Sequence, residues 1–468
     1  MSVRQLFETT EQKLKTISPS MCLAKWTQVT LHLGTGTTHS CHHPAPHSIP
    51  LVELQRSPNA LHNTQFKKEQ RQLMLQGIRP NECDYCWRIE DAHTDGEQTF
   101  SDRITKSSEP WAMEKFDEIA QAPWDIDIYP TYVEIDFDTT CNFKCVYCSP
   151  SYSTTWMAEI NKHGPFKLTG GYTHHDLQWL KDNGTLPISQ SDDNPYVDAF
   201  WKWWPDAAQH IKVFRITGGE PLLSKNTFRL LDDLIVNPRP EMEFNINSNL
   251  GIPSALFDQF VAKMEIIQAN KCVKLFKLYT SCEAAGPQAN YIRYGMDYQE
   301  WRQNCRRVLS RIPRSNLTIM AAVNFLSIPS FGWFVKDVIE LKEEFASQNI
   351  WPHRVALDTP YVRWPEFLAA WILNKDHLAL IEITIRQMKA YRQSEPHGKV
   401  GFSDFEINRF ERLFFVIREE FEKINGTEKQ ALLRVQFKEY ITELDHRRGT
   451  DFCNTFTEYT GFFNSIAL

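Results

Sequence analysis

Several things are missing from this sequence, and each absence removes a class of function. No uninterrupted apolar stretch reaches the roughly 20 residues that a bilayer crossing requires. The first residues, Met1 to Glu8, lack the apolar centre of a secretory signal. Internal repeats and low-complexity tracts do not occur. There is no surplus of positive charge: 51 Lys and Arg stand against 58 Asp and Glu, a formal net charge of −7, so nothing draws the whole chain to nucleic acid. The expectations are a cytoplasmic location, no membrane and no nucleic-acid partner.

What is present is ample. A chain of 468 residues, 42% hydrophobic, can build a large core and more than one domain. A mean hydropathy of −0.43 is that of a soluble protein. The 14 Trp and 30 Phe imply large buried surfaces and say nothing of a substrate. The 11 cysteines gather in short motifs. In a large chain without a signal, that favours metal binding in a reducing compartment over disulfides.

The densest of these motifs is Cys141-Asn142-Phe143-Lys144-Cys145-Val146-Tyr147-Cys148, a C-x3-C-x2-C run just after the strand-like Tyr132–Phe137. Three thiolates on one loop can hold three corners of a cubane [4Fe–4S] cluster and leave its fourth iron open for chemistry. The alternative is zinc, but a structural zinc site takes four ligands. No fourth Cys or His follows closely, the next histidine being His163. A second motif, Thr217-Gly218-Gly219-Glu220-Pro221, ends the strand-like run Ile211–Ile216. Its paired glycines permit close backbone approach to a ligand, Glu220 offers a carboxylate to a cation, and Pro221 can start the following helix. The Thr169-Gly170-Gly171 run lacks the lysine of a phosphate loop and reads as a turn.

Taken together, the cysteine run, with Tyr147 just before its last cysteine, and the Gly218–Pro221 motif resemble the radical S-adenosylmethionine (radical SAM) enzymes. The resemblance implies a SAM-cleaving [4Fe–4S] cluster on Cys141, Cys145 and Cys148. It also implies SAM held near Tyr147, Gly218, Gly219, Glu220 and Pro221.

The centre of the chain alternates strand-like segments (132–137, 211–216, 242–247, 274–280, 317–323 and 354–357) with amphipathic runs (224–236, 253–267, 298–312 and 332–346). Such alternation predicts a parallel sheet covered by helices. Six units fit the partial (β/α)6 barrel of the family, with chemistry at the carboxyl ends of the strands. Other strand ends carry polar groups. Ser281 and Glu283 share a side of an extended chain and suit ribose hydroxyls. Arg293 suits either the SAM carboxylate or a surface ion pair. Asn324 suits either the adenosine or a helix cap. Ser248 and Asn249 end strand three in the same manner. A thiol at Cys282 borders the expected cavity and could give a hydrogen atom to a substrate radical; Cys272, Cys305 and Cys453 read as buried thiols.

Before this region, Cys22, Cys41, Cys83 and Cys86 accompany a strand entering a hairpin (26–34) and a helix closed by Gly77. Four cysteines fit zinc or a fully ligated [4Fe–4S] cluster. The spacing, with Glu90 closing the C-x2-C-x3-E, resembles the auxiliary-cluster modules called SPASM or twitch. Tyr291–Gly295 and Leu444–Arg448 resemble features of a twitch-type subgroup that carries the module ahead of the barrel. The resemblance therefore implies an auxiliary cluster on those cysteines serving electron transfer. Histidines near Cys41 (His39, His42, His43 and His47) read as a polar loop.

The expected domains are an auxiliary module over 1–125, the barrel over 126–360 with a loop-rich insertion or lid at 151–200, and a helical extension over 361–468 with helices at 376–392, 403–424 and 427–446. The implied reaction is reductive SAM cleavage and hydrogen abstraction from a peptide or protein, or from a small metabolite. The implied electron donor is of flavodoxin or ferredoxin type. A contrasting expectation is a zinc-stabilised binding protein without catalysis.

Overall fold

The computed structural model describes residues 2–92, 100–189, 193–346, 354–392 and 400–467. Eleven strands occur among them: β1 Gln28–His32, β2 Thr37–His39, β3 His47–Ser48, β4 Tyr132–Asp136, β5 Lys144–Cys145, β6 Val213–Thr217, β7 Arg239–Ser248, β8 Val273–Ser281, β9 Arg293–Tyr294, β10 Ser315–Met320 and β11 Val355–Asp358. Nine form one sheet in the order β11-β10-β8-β7-β6-β4-β1-β2-β3, and β5 pairs with β9 apart from it. From β11 to β1 every pairing is parallel. The hairpin β1-β2 and the pair β2-β3 are antiparallel. The architecture is thus mixed α/β on a nine-stranded sheet.

All six strands expected between 132 and 357 are present and neighbour one another in chain order. The N-terminal hairpin departs from expectation. It does not stand apart as a module: β1 lies along β4, with Thr30 opposite Glu134 and His32 opposite Asp136. The sheet therefore runs across the boundary that the sequence suggested near residue 125.

Alternation along the strands explains the layering. Val133 and Ile135 on β4, Phe214 and Ile216 on β6, Phe276 and Leu278 on β8, and Leu317 and Ile319 on β10 are buried in one apolar core. Each such side chain contributes about 1.5–3 kcal/mol on burial, which fixes the face turned to the helices. The covering helices are Lys225–Val236, Ser254–Ala269, Tyr298–Arg311 and Ile328–Glu344, whose buried apolar residues belong to that core. Asp297 caps the third of them, accepting from Gln299 N at 2.8 Å and Glu300 N at 3.0 Å.

The C-terminal helices Lys375–Ala390, Asp404–Ile424 and Glu428–Arg448 are bonded into this body. Glu406 receives Lys342 Nζ at 2.8 Å and Leu357 N at 2.8 Å, and Tyr440 Oη donates to Val146 O at 2.7 Å. Among the described residues no helix is long and apolar enough to cross a membrane.

Candidate functional site

The face of the sheet opposite the helices is polar. Residues that alternate with the buried ones are only half-buried: Glu134 on β4, Arg215 and Thr217 on β6, Asn247 on β7, Lys277 and Tyr279 on β8, Thr318 on β10. Parallel sheets normally bury both faces under helices, so a polar face signals a cavity rather than a core. Register sets these side chains in rows. Glu134 lies opposite Arg215, Arg215 opposite Asn245 and Asn247 opposite Tyr279. Arg215 anchors the centre: Nε donates to Asn247 Oδ1 at 3.0 Å, and the guanidinium lies 4.4 Å from the Tyr279 ring centroid. Glu134, 3.7 Å from Arg215 Nη1, is raised above the usual carboxylate range by burial, which Arg215 only partly offsets.

At the carboxyl ends of β1 and β4 the pair His32–Asp136 closes the row. His32 Nδ1 is 2.5 Å from Asp136 Oδ2 and His32 Nε2 is 3.1 Å from His39 Nε2. His39 Nδ1 faces the Cys41 carbonyl. A carbonyl only accepts, so His39 Nδ1 carries the proton. Burial, with His32 beside it, lowers His39 to about 3 and keeps it neutral, so its Nε2 accepts. His32 Nε2 must then donate, as Nδ1 does to the carboxylate, and His32 is an imidazolium. Burial is the largest single influence and works against that charge, but the Asp136 bond together with the charges of Asp136 and Glu134 outweighs it and raises the imidazole. The contribution of this pair to stability is present below the ordinary histidine value of 6.5 and lost as pH rises through the higher folded value. In an NMR titration the His32 ring titrates above 6.5, and Asp136→Asn drops it below, because burial is then opposed only by the weaker influence of Glu134. Titration of His32 at or below 6.5 in the unsubstituted protein would contradict this assignment.

His32 and Asp136 line a cavity of about 260 Å³ that also takes in Gly218, just past the end of β6. The hydroxyl residues Thr35, Thr37, Ser48, Thr139, Ser149, Ser151 and Thr185 line it. Three aromatic residues line it as well: Tyr152 and Trp179, both exposed, and His174. His174 makes an edge contact with the exposed Trp364 at 6.5 Å. Ligands of open α/β sheets bind outside the carboxyl ends of the strands, and this cavity lies there.

The residues singled out in the sequence surround a neighbouring region, where most are bound to one another. Gly218 has φ of +115°, and a Cβ on it would lie 2.8 Å from that of Asp136. A Cβ on Gly219 would lie 2.3 Å from Thr140 O. The paired glycines thus admit the backbone of the loop after β4. Pro221 opens a short 3₁₀ turn, Pro221–Leu223. Glu220 is buried, and its carboxylate accepts from Asn249 N at 2.6 Å, Ser248 Oγ at 2.8 Å and Leu222 N at 3.0 Å. Burial raises it to about 7 even so.

Tyr147, Glu283, Arg293 and Cys145 meet at the end of β8. Glu283 accepts from Arg293 Nε at 2.9 Å and Nη2 at 2.6 Å, and from Tyr147 Oη at 3.0 Å. Ser281 is half-buried at the strand end. Cys282 is fully buried and its thiol, which burial pushes up, donates to Ala284 O at 3.3 Å. Asn324 is a helix cap, accepting from Leu326 N at 2.9 Å.

Each of the three loop cysteines has a local partner. Cys141 Sγ accepts from Phe143 N at 3.5 Å, Cys145 Sγ from Arg293 Nη1 at 3.7 Å, and Cys148 Sγ donates to Ser149 O at 3.8 Å. Burial raises all three thiols, Cys148 to about 12. Cys22, Cys41, Cys83 and Cys86 line a small cavity together with Lys25, Arg103 and Lys106. Burial raises Cys22 and holds Cys83 and Cys86 at about 12.

No protein-family model matches this chain, and no curated protein matches it. The geometry corrects the reading of the cysteines. Among the described residues, no group of three or more His, Cys, Asp or Glu side chains is placed so that it could hold a metal ion. A cluster or a zinc ion needs thiolates converging on one point; here Cys141, Cys145 and Cys148 are each turned to a separate local partner. The resemblance to radical SAM enzymes with a SPASM or twitch module is therefore set aside. With it go the [4Fe–4S] cluster on Cys141, Cys145 and Cys148, the auxiliary cluster on Cys22, Cys41, Cys83 and Cys86, SAM as cofactor and radical enzymology. The zinc-stabilised alternative falls on the same finding.

Proposed function

We propose that this protein binds a small, hydroxyl-rich molecule, of the size and polarity of a monosaccharide, in the cavity at the carboxyl ends of β1, β4 and β6. The observation that carries the reading is the lining: seven Ser and Thr residues around one carboxylate–imidazolium pair. Hydroxyl groups donate and accept equally, so they match a polyol at every rotation. Asp136 and His32 add the charged hydrogen bonds that fix orientation. The exposed rings of Tyr152 and Trp179 offer flat apolar faces for the C–H side of a sugar ring. In this reading the six β/α units from β4 to β11 curve as a partial barrel, with the polar rows on its concave side. All eleven cysteines are free, which suits a reducing cytoplasmic compartment.

Calorimetric titration against a panel of monosaccharides, nucleosides and amino acids tests this. Saturable binding of a polyol, weakened about tenfold or more by Asp136→Asn, is the expected result; loss of a charged hydrogen bond is of that order. Binding confined to amino acids, or a polyol affinity indifferent to Asp136→Asn, would refute it.

A further inference from the structure

The strand-end cavity holds about 260 Å³, less than the roughly 300–1,000 Å³ of pockets that enclose a drug-sized ligand. A ligand larger than one sugar ring must therefore run out over the rim. That rim is aromatic, and it continues past the lining. Tyr152 and Trp179 are exposed at the cavity itself. Trp364 lies outside the lining, 6.5 Å by ring centroid from His174, which is part of it. This contact joins distant parts of the chain: His174 belongs to the segment between β5 and β6, whereas Trp364 follows β11 at the far edge of the sheet. A second ring contact, Tyr172 to Phe367 at 5.4 Å, ties the same two segments. Tyr361 is bridged to Val323, beyond the end of β10, and Val362 N donates to Val323 O at 2.9 Å. Trp364 is thus held beside the cavity by ordered structure on both sides, yet its own side chain is 61% exposed. So large an apolar group, fixed in place and left uncovered next to a cavity, marks a contact surface. His174 meets Tyr172, His175 and Trp364 through its ring and makes no hydrogen bond among the described residues. Burial lowers it to about 4, so the imidazole is neutral and presents one donor and one acceptor.

From this arrangement we propose that the ligand is an oligosaccharide: the cavity takes its terminal sugar and Trp364 stacks the next one. The inference rests on the polyol reading of the cavity and narrows it to a substrate class. The terminal sugar sets its hydroxyls among the seven Ser and Thr residues. The glycosidic link leads out past His174, whose neutral ring donates to one hydroxyl and accepts from another. The second sugar lays its C–H face on the Trp364 indole, where the gain follows the apolar area covered, while its hydroxyls remain in water.

Calorimetric titration of the full chain tests this with glucose, galactose, mannose and N-acetylglucosamine, each beside its 1,4-linked dimer and trimer. At least one dimer should bind about tenfold tighter than its monomer, with little further gain in the trimer. Trp364→Ala, at an exposed position, should return that dimer to the level of its monomer. It should leave monomer affinity and thermal unfolding unchanged, and Trp364→Tyr should keep most of the gain. Asp136→Asn should weaken monomer and dimer alike. Monomer binding without a gain in any dimer, or a gain that Trp364→Ala leaves intact, would overturn the oligosaccharide assignment and leave the polyol reading standing. Failure of every sugar to bind would sink both.

Discussion

Glu283→Ala should lower the unfolding free energy by about 3–5 kcal/mol, the range for breaking a buried ion pair from one side. Glu283 is 1% exposed and Arg293 6% exposed. The carboxylate takes two bonds from the guanidinium, at 2.6 and 2.9 Å. Without it, the buried guanidinium keeps a soft sulfur contact with Cys145 at 3.7 Å and the Tyr147 ring, 5.7 Å from the guanidinium. Neither replaces an anion. The double change Glu283→Leu with Arg293→Met should cost less than Glu283→Ala alone, because removing both charges also removes the desolvation that each imposes. Urea unfolding of the unsubstituted protein and the two variants checks the order. A Glu283→Ala cost below about 1 kcal/mol would mean that water reaches the pair, contrary to the burial described. The same pair ties β9 to β8, and β9 holds the cysteine loop through β5. Amide exchange across 141–148 should therefore quicken in Glu283→Ala.

A second large effect belongs to Glu220 and shows itself in pH. Its folded-state value, about 7, stands above the ordinary 4.5. Burial is the cause; the bonds from Asn249, Leu222 and Ser248 pull the other way without prevailing. The folded protein thus binds a proton here that the unfolded chain gives up. This contribution to stability is complete below pH 4.5 and is lost as pH rises through 7. At 1.36 kcal/mol per unit, the loss is about 3 kcal/mol. Glu220→Gln removes the titration. The difference in unfolding free energy between the unsubstituted protein and Glu220→Gln should therefore drift by about 3 kcal/mol between pH 4.5 and 8. Subtraction cancels the other titrating groups, including His39, His62 and His175, whose lowered values act with opposite sign. A difference constant over that interval would contradict the raised value.

The sheet was largely legible in the sequence because its signals are local. Phe214 and Ile216 alternate with Arg215 and Thr217, and Leu317 and Ile319 with Asn316 and Thr318. The period of two marks a strand, and the helical stripe from Phe334 to Leu341 marks its cover. The alternation also held a clue to the cavity: internal parallel strands read as continuous apolar runs, and these do not. The His32–Asp136 pair was not legible. Its members lie 104 residues apart and meet only through the register of β1 on β4. The cysteine and Gly218–Pro221 motifs failed in a different manner. Residue spacing says which groups can share a loop, and it does not say where they point. Glu220 turned to Asn249, Ser248 and Leu222, and Gly219 to the backbone of Thr140.

The seating of β1 beside β4 bears on how the chain is made. Synthesis delivers Gln28–His32 long before Tyr132–Asp136, so the early hairpin leaves the ribosome with one side unclaimed. Its N–H and C=O groups must wait on water, or on a chaperone, while about a hundred further residues emerge. Only then can the edge be sealed, and the cavity that His32 and Asp136 line comes into being at that moment.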